Sequence, residues 1–237
     1  MAITLHREAG LTVLRSELLA PLPHGFSTRP GGVSPAPWDS LNLGPSRGDT
    51  PENVRENYRR FCAVLGTEPE QAVLSQQTHT TNLRRVTAED AGKGLTRPRD
   101  YRDVDALMTD VPGLALTIFS ADCGVILLHD PVHAAIAAVH AGWRGCAGGI
   151  LTKTVRAMTE SCGTDPADLL AAIGPCIGPC CFETDDDVPA AMRAALGAEA
   201  EPYLRYQAPK WHVDLSGLNR QWLLRTGLRP ENIERSE

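Results

Sequence analysis

Four short runs constrain what this chain can fold into: "LALTIFS" from Leu114, "VILLHD" from Val125, "AAIAAVH" from Ala134 and "LLAAIGP" from Leu169. Each is apolar over most of its length without the alternation of a half-exposed strand, so each predicts a strand covered on both faces. Helical patterns flank them. In "NVRENYRRFCAVLG", Val54, Tyr58, Phe61, Cys62 and Leu65 recur on one helical face and Gly66 ends the pattern. "ILTKTVRAMTESCG" (Ile150 to Gly163) and "HVDLSGLNRQWLLRTG" (His212 to Gly227) read as helices in the same way. Strands alternating with helices, with no repeat and no long linker, predict a mixed α/β fold with layered sheets.

Composition excludes several functions. The 237 residues, 42% hydrophobic and 22% charged, suffice for one large domain over 1–237. A net charge of -6 argues against the basic face of a nucleic-acid binder. The N-terminus, "MAITLHREAGLTVL", lacks a charged segment followed by a long apolar core, and the longest apolar runs are interrupted by Asp, His or Gly, so no membrane partner and a cytoplasmic location are expected. Seven cysteines without an export signal point to free thiols or metal ligation rather than a disulfide framework. Cys62 and Cys162, inside helical patterns, read as inert core thiols.

Three residues stand at strand ends before a turn: His79 in "LSQQTHT", Cys123 in "FSADCGV" and His140 in "AAVHAGWRG". Each can project into one cleft. One thiolate and two imidazoles suit zinc and, less often, copper, and three protein ligands leave a fourth position open. Their separations, 44 and 17 residues, match no local zinc-finger spacing. The residues alone therefore leave two other readings open: isolated polar groups in a core, or Cys123 as a nucleophile with His140 as its base. His129 and His133 are four apart, but Asp130-Pro131 between them forbids a continuous helix, and both read as turn residues. "GPCIGPCCFE" holds Cys176, Cys180 and Cys181; a thiolate zinc site there would need a ligand such as Cys146, and two Gly-Pro pairs read more simply as a rigid loop. The segment "FSTRPGGVSPAPWDSLNLG" is too turn-rich for regular structure and too long for a simple connection, which fits a functional loop or a surface excursion.

"HGFSTRPGGVS", "QQTH", "ADCGVILLHDP", "HAGWRG" and "AAIGPCIGPCCFE" together carry a resemblance. In this order, over Pro23 to about Glu183, the chain resembles the multicopper polyphenol oxidase (laccase) domain family, also described as purine nucleoside phosphorylases and as peptidoglycan-editing factor. The resemblance implies a single-domain four-layer α/β/β/α sandwich of mixed sheets, with zinc, or alternatively copper, on His79, Cys123 and His140. It implies phosphorolysis of adenosine, inosine, guanosine and methylthioadenosine, with adenosine deamination, by a monomer or homodimer. Purine nucleosides and phosphate are then the partners. The runner-up is a copper polyphenol oxidase, but a laccase needs a histidine-rich trinuclear cluster besides its type 1 copper, and seven histidines are few for that. A third reading is a zinc-stabilised module that binds purines or muropeptides without turnover.

Under the phosphorylase reading, Arg29 and Arg144 are candidates to grip phosphate bidentately, and Ser27 and Gln77 to contact substrate. Asp122, beside Cys123, is the candidate acid/base or partner of a ligand histidine. Gly142 and Gly145 would let the chain turn tightly around Trp143 and Arg144, with a helix beginning at "CAGGI" adding a second anion-binding feature. A zinc-acidified water would rationalise deamination. Related chains continue into Cys-Thr and an aromatic-Ser-aromatic-Arg-Arg segment where this one ends in "NIERSE", which leaves a truncated chain or an absent C-terminal strand as the two expectations.

Overall fold

A computed structural model describes residues 2–236. The N-terminal half contains β1 (Ile3–Glu8), β2 (Leu11–Ser16), β3 (Phe26–Ser27), α1 (Pro51–Leu65), β4 (Ala72–Leu74), β5 (Leu83–Arg85), β6 (Ala106–Thr109) and β7 (Ala115–Thr117). Next come β8 (Gly124–Asp130), β9 (Ala135–Ala141), α2 (Trp143–Ala147), α3 (Ile150–Cys162) and β10 (Leu170–Ile173). The chain continues with β11 (Glu183–Thr184), α4 (Asp187–Leu196), β12 (Leu204–Gln207), β13 (Lys210–Val213), α5 (Leu215–Arg225) and β14 (Ile233–Arg235).

A six-stranded mixed sheet, ordered β14-β10-β8-β9-β6-β5, forms the centre. Its two outer pairs, β14 with β10 and β5 with β6, are parallel, and the pairings between are antiparallel. Because side chains alternate across a strand, each central strand serves two cores. Ile126, Leu128, Val139, Ala171 and Ile173 face one way, into a cluster with Ile150, Leu151, Val155 and Met158 of α3, Met192 of α4 and Leu218 and Leu223 of α5. Val125, Leu127, Leu170 and Ala172 face the other way and pack on Leu14 and Phe26 of the β1-β2-β3 sheet. Leu107 of β6 turns to the same side and meets Val73 of β4 and Leu116 of β7. Helix α1 closes the far side, with Val54, Tyr58 and Cys62 on Ala72 and Leu74, and Val64 and Phe61 beside Leu11 and Val13. The order is helices, sheet, smaller sheets, helix: the four layers expected.

Local signals explain where the helices stop. Thr50 caps α1 by accepting from the main-chain N–H of Asn53, Pro51 stands where no N–H is needed, and Gly66 ends it in the left-handed region at φ 70°. Two expected boundaries are corrected. His212 lies in β13, and Asp214, accepting from the N–H of Gly217, caps α5, so that helix begins after the strand. His129 is a buried residue of β8 instead of a turn residue, whereas His133 does sit in the turn, its ring against Asp130 at 2.8 Å. No helix among the described residues is long and apolar enough to cross a membrane.

Candidate metal centre

The β8-β9 hairpin brings two donors together. Cys123 immediately precedes β8 and His140 is the penultimate residue of β9, and the antiparallel register sets Val125 opposite His140 and Gly124 opposite Ala141. Val139 and Ala141 belong to the helix-side core, so His140 takes the opposite face, between the sheets. The third donor, His79, arrives on the loop after β4. The donor atoms of His79, Cys123 and His140 lie within 4.8 Å of one another. Cys123 Sγ is 3.7 Å from His79 Nε2, and the two imidazoles meet edge to face, 4.9 Å between centroids. His140 is buried, Cys123 half-buried and His79 exposed, so the cluster is walled on one side and open on the other.

One carboxylate organises it. Asp105, fully buried just before β6, accepts from His140 Nδ1 at 2.8 Å, which leaves Nε2 as the ring nitrogen available to a metal. It also accepts from the main-chain N–H groups of Thr78, His79 and Thr80 and from the Thr80 hydroxyl. Four donors from three consecutive residues wrap the loop around Asp105 and hold His79 at φ 64°, a left-handed conformation uncommon for a residue with a side chain. Burial alone would raise the Asp105 pKa, yet His140 and the Thr80 and Thr78 donors hold it down to about 2. Burial opposes charge on His140 as well, but Asp105 and Cys123 push it up to about 9.

Gly142 shows how closely the backbone approaches. A Cβ there would lie 2.7 Å from Cys123 Sγ and 3.2 Å from His79 Cδ2, so only glycine fits against the donors. Trp143 and Arg144 do not sit in a turn between glycines. They open α2, a five-residue helix N-capped by Gly142, and Gly148-Gly149 separate it from α3. Within "CAGGI", Cys146 and Ala147 close α2, and the expected helix start lies at its last residue, where Ile150 opens α3 behind Gly149. The exposed Arg144 guanidinium lies over the Trp143 ring, 4.3 Å from its centroid.

The remaining expected site residues are placed as follows. Gln77 donates its amide to the Phe119 carbonyl and accepts from the Phe119 N–H, tying the His79 loop to the segment leading to Cys123. Ser27 is exposed at the end of β3, where it pairs with Val13, next to Phe26, whose ring packs where a Gly174 side chain would be. Arg29 is largely exposed and bonds the Asp39 carbonyl at 2.9 Å. Asp122 is exposed, and its carbonyl accepts from Ile177; the partner of the ligand histidine is Asp105, not Asp122. Cys146 is buried in the helix-side core while Cys180 and Cys181 are exposed, and no thiolate zinc site forms: among the described residues, His79, Cys123 and His140 are the one group of three or more potential ligands.

The family model described as multi-copper polyphenol oxidoreductase laccase matches residues 23–237. The chain belongs to that family. Among its relatives within the laccase family, the purine nucleoside phosphorylase YlmD of Bacillus subtilis is 34% identical over 218 residues, covering 88% of this chain and 76% of that one. A purine nucleoside phosphorylase of Deinococcus radiodurans is 38% identical over 219 residues, covering 92% and 80%. The crystal structure of the hypothetical protein YfiH of Bacillus licheniformis superposes with a TM-score of 0.93 at 32% identity, over 98% of this chain and 88% of that one. The fold and the family are thus established together.

Proposed function

We propose that this chain is a zinc-dependent purine nucleoside phosphorylase, acting on adenosine, inosine, guanosine and methylthioadenosine, with adenosine deaminase activity. The observation that carries the reading is the single preset His79, Cys123 and His140 cluster, in a chain whose relatives are named purine nucleoside phosphorylases. The donors fit the ion: two imidazoles, one with its second nitrogen fixed by a carboxylate, and one thiolate. When bound, zinc supplies Lewis-acid polarisation and makes water acidic near neutral pH.

The protein's own groups supply the rest. The Arg144 guanidinium, stacked on Trp143, presents a planar fork to phosphate, and Arg29 is the second candidate. Asp122, exposed and adjacent in sequence to Cys123, is the candidate to exchange a proton with substrate, and the exposed Ser27 is a candidate substrate contact. Gln77 acts by ordering the wall between His79 and Cys123, since both ends of its amide are engaged there. Positioning and a preset polar site are what phosphorolysis requires.

The family description favours a copper polyphenol oxidase as the second reading. Against it, His24, His133 and His212 are engaged with main-chain or carboxylate oxygens, and none of the other histidines joins the cluster. Purified protein incubated with inosine and phosphate should release hypoxanthine, adenosine should yield inosine, and elemental analysis should find about one zinc per chain. Several coppers, phenol oxidation and no hypoxanthine would install the oxidase instead. Metal-loaded protein that binds purines without turnover would install the binding module.

A further inference from the structure

The loop after Asp90 forms a tight turn with a cavity on its outer side. The N–H groups of Leu95, Thr96 and Arg97 all donate to the Gly92 carbonyl, and Gly94 donates to Arg97. Strand β4 straps the turn down through Gly92 to Ala72 and Leu74 to Lys93. Between this turn and α1 lies a cavity of about 380 Å³ lined by Arg55, Arg97 and Arg99, with Leu95 and Pro98 as its apolar wall. Two of the guanidinium groups are already oriented: Arg97 donates to the Glu89 carbonyl and Arg99 to the Ser75 carbonyl, which leaves each with further N–H donors. None of the three forms an ion pair among the described residues, whereas the neighbouring carboxylates Glu56, Asp90 and Asp100 are held by Arg59, Arg60, Arg84 and Lys93.

We propose that Arg55, Arg97 and Arg99 form an anion site, separate from the metal centre, that takes the diphosphate group of a small phosphorylated metabolite. Three positive charges, two of them held by main-chain carbonyls, match a diphosphate, guanidinium forks suit phosphate oxygens, and the apolar wall accommodates the organic part. A chain of hydrogen bonds leads from the cavity toward the centre. Arg99 holds Ser75, the Ser75 hydroxyl donates to Gln77, and Gln77 is tied to Phe119, so the bonds run from the cavity to both segments that carry donors.

The test is calorimetric titration of metal-loaded, full-length protein with inorganic pyrophosphate and, separately, with ADP. One site per chain besides any binding at the metal centre is expected, retained in Cys123→Ser, with ADP bound at least as tightly as pyrophosphate. Arg97→Glu should weaken both at least tenfold, and Cys123→Ser, which breaks the metal centre, should leave both unchanged. Arg55→Ala, at an exposed position on α1, repeats the test with the turn intact and should weaken binding severalfold. Unaltered binding in Arg97→Glu and Arg55→Ala would overturn the proposal. So would loss of binding in Cys123→Ser, which would assign the anion to the metal centre.

Discussion

A single oxygen of Asp105 touches both histidines of the cluster: Oδ1 accepts from His140 Nδ1 at 2.8 Å and from the main-chain N–H of His79 at 3.0 Å. One carboxylate thus fixes the tautomer of one donor and the backbone of the other. Asp105→Asn keeps the shape but turns a donor toward groups that need acceptors. Zinc affinity should fall by roughly 10- to 100-fold, read by competition with a chromogenic chelator. Unchanged affinity would reduce Asp105 to a scaffold residue.

Gly142→Ala places a methyl group 2.7 Å from Cys123 Sγ. Gly142 has φ -64°, which alanine adopts freely, so the backbone itself is not strained by the change. The variant should fold, judged by circular dichroism, and purify with little zinc. Full zinc content would mean that Cys123 can move aside at no cost.

Arg144 separates phosphate binding from site architecture. Arg144→Lys keeps the charge and loses the fork, Arg144→Ala loses both, and phosphorolysis should fall in that order, by about one to two decades for alanine. Adenosine deamination consumes no phosphate and should fall much less at equal zinc content. Equal losses in the two assays would withdraw the phosphate role.

Asn57 of α1 anchors the turn-rich loop between Phe26 and Gly44. Its buried amide accepts from Val33 N–H and donates to the Ser34 hydroxyl and the carbonyls of Ser40 and Asn42. Asn57→Ala strands several of these groups and should cost about 2 to 4 kcal/mol in urea unfolding. Zinc content should be retained, because no Asn57 bond reaches the ligands. A change below about 0.5 kcal/mol would show that the loop holds itself.

Thiol reactivity should follow burial. Burial pushes the Cys62 thiol up to about 11 and that of Cys146 up to about 12, so at pH 8 both stay protonated as well as covered. Alkylation mapped by mass spectrometry should label the exposed Cys180 and Cys181 first and reach Cys62 and Cys146 only on unfolding. Early labelling of Cys146 would reveal opening of the helix-side core.

Of the three expected strand ends only His140 is one, closing the apolar run of β9; Cys123 precedes β8 and His79 lies on the loop after β4, so residue type rather than strand position made the cluster legible. Asp105 carried no such mark: "RDVDALMTD" offers several acids, and only the pairing of β6 with β9 brings this one to His140. Asp122 attracted the role by adjacency in sequence, which says little about neighbours across a sheet. The layers were readable from the unalternating strands, but β11, β12 and β13 are too short and too exposed to leave a periodic signal. His212 was drawn into a helix because the apolar period of α5 extends backward past its Asp214 cap.

The β8-β9 register ties the metal centre to residues that never approach it. Slipping β9 by one residue would carry His140 to the helix side and expel Val139 from its core. Ile126, Leu128 and Val139 therefore act as the teeth that keep this hairpin in step: oil sets the side of the sheet from which the imidazole projects, and the Asp105 carboxylate then sets its tautomer. Core substitutions that loosen the meshing without unfolding the sheet would leave a protein that looks native in shape and has lost its ion, a defect that no inspection of the ligands themselves would reveal.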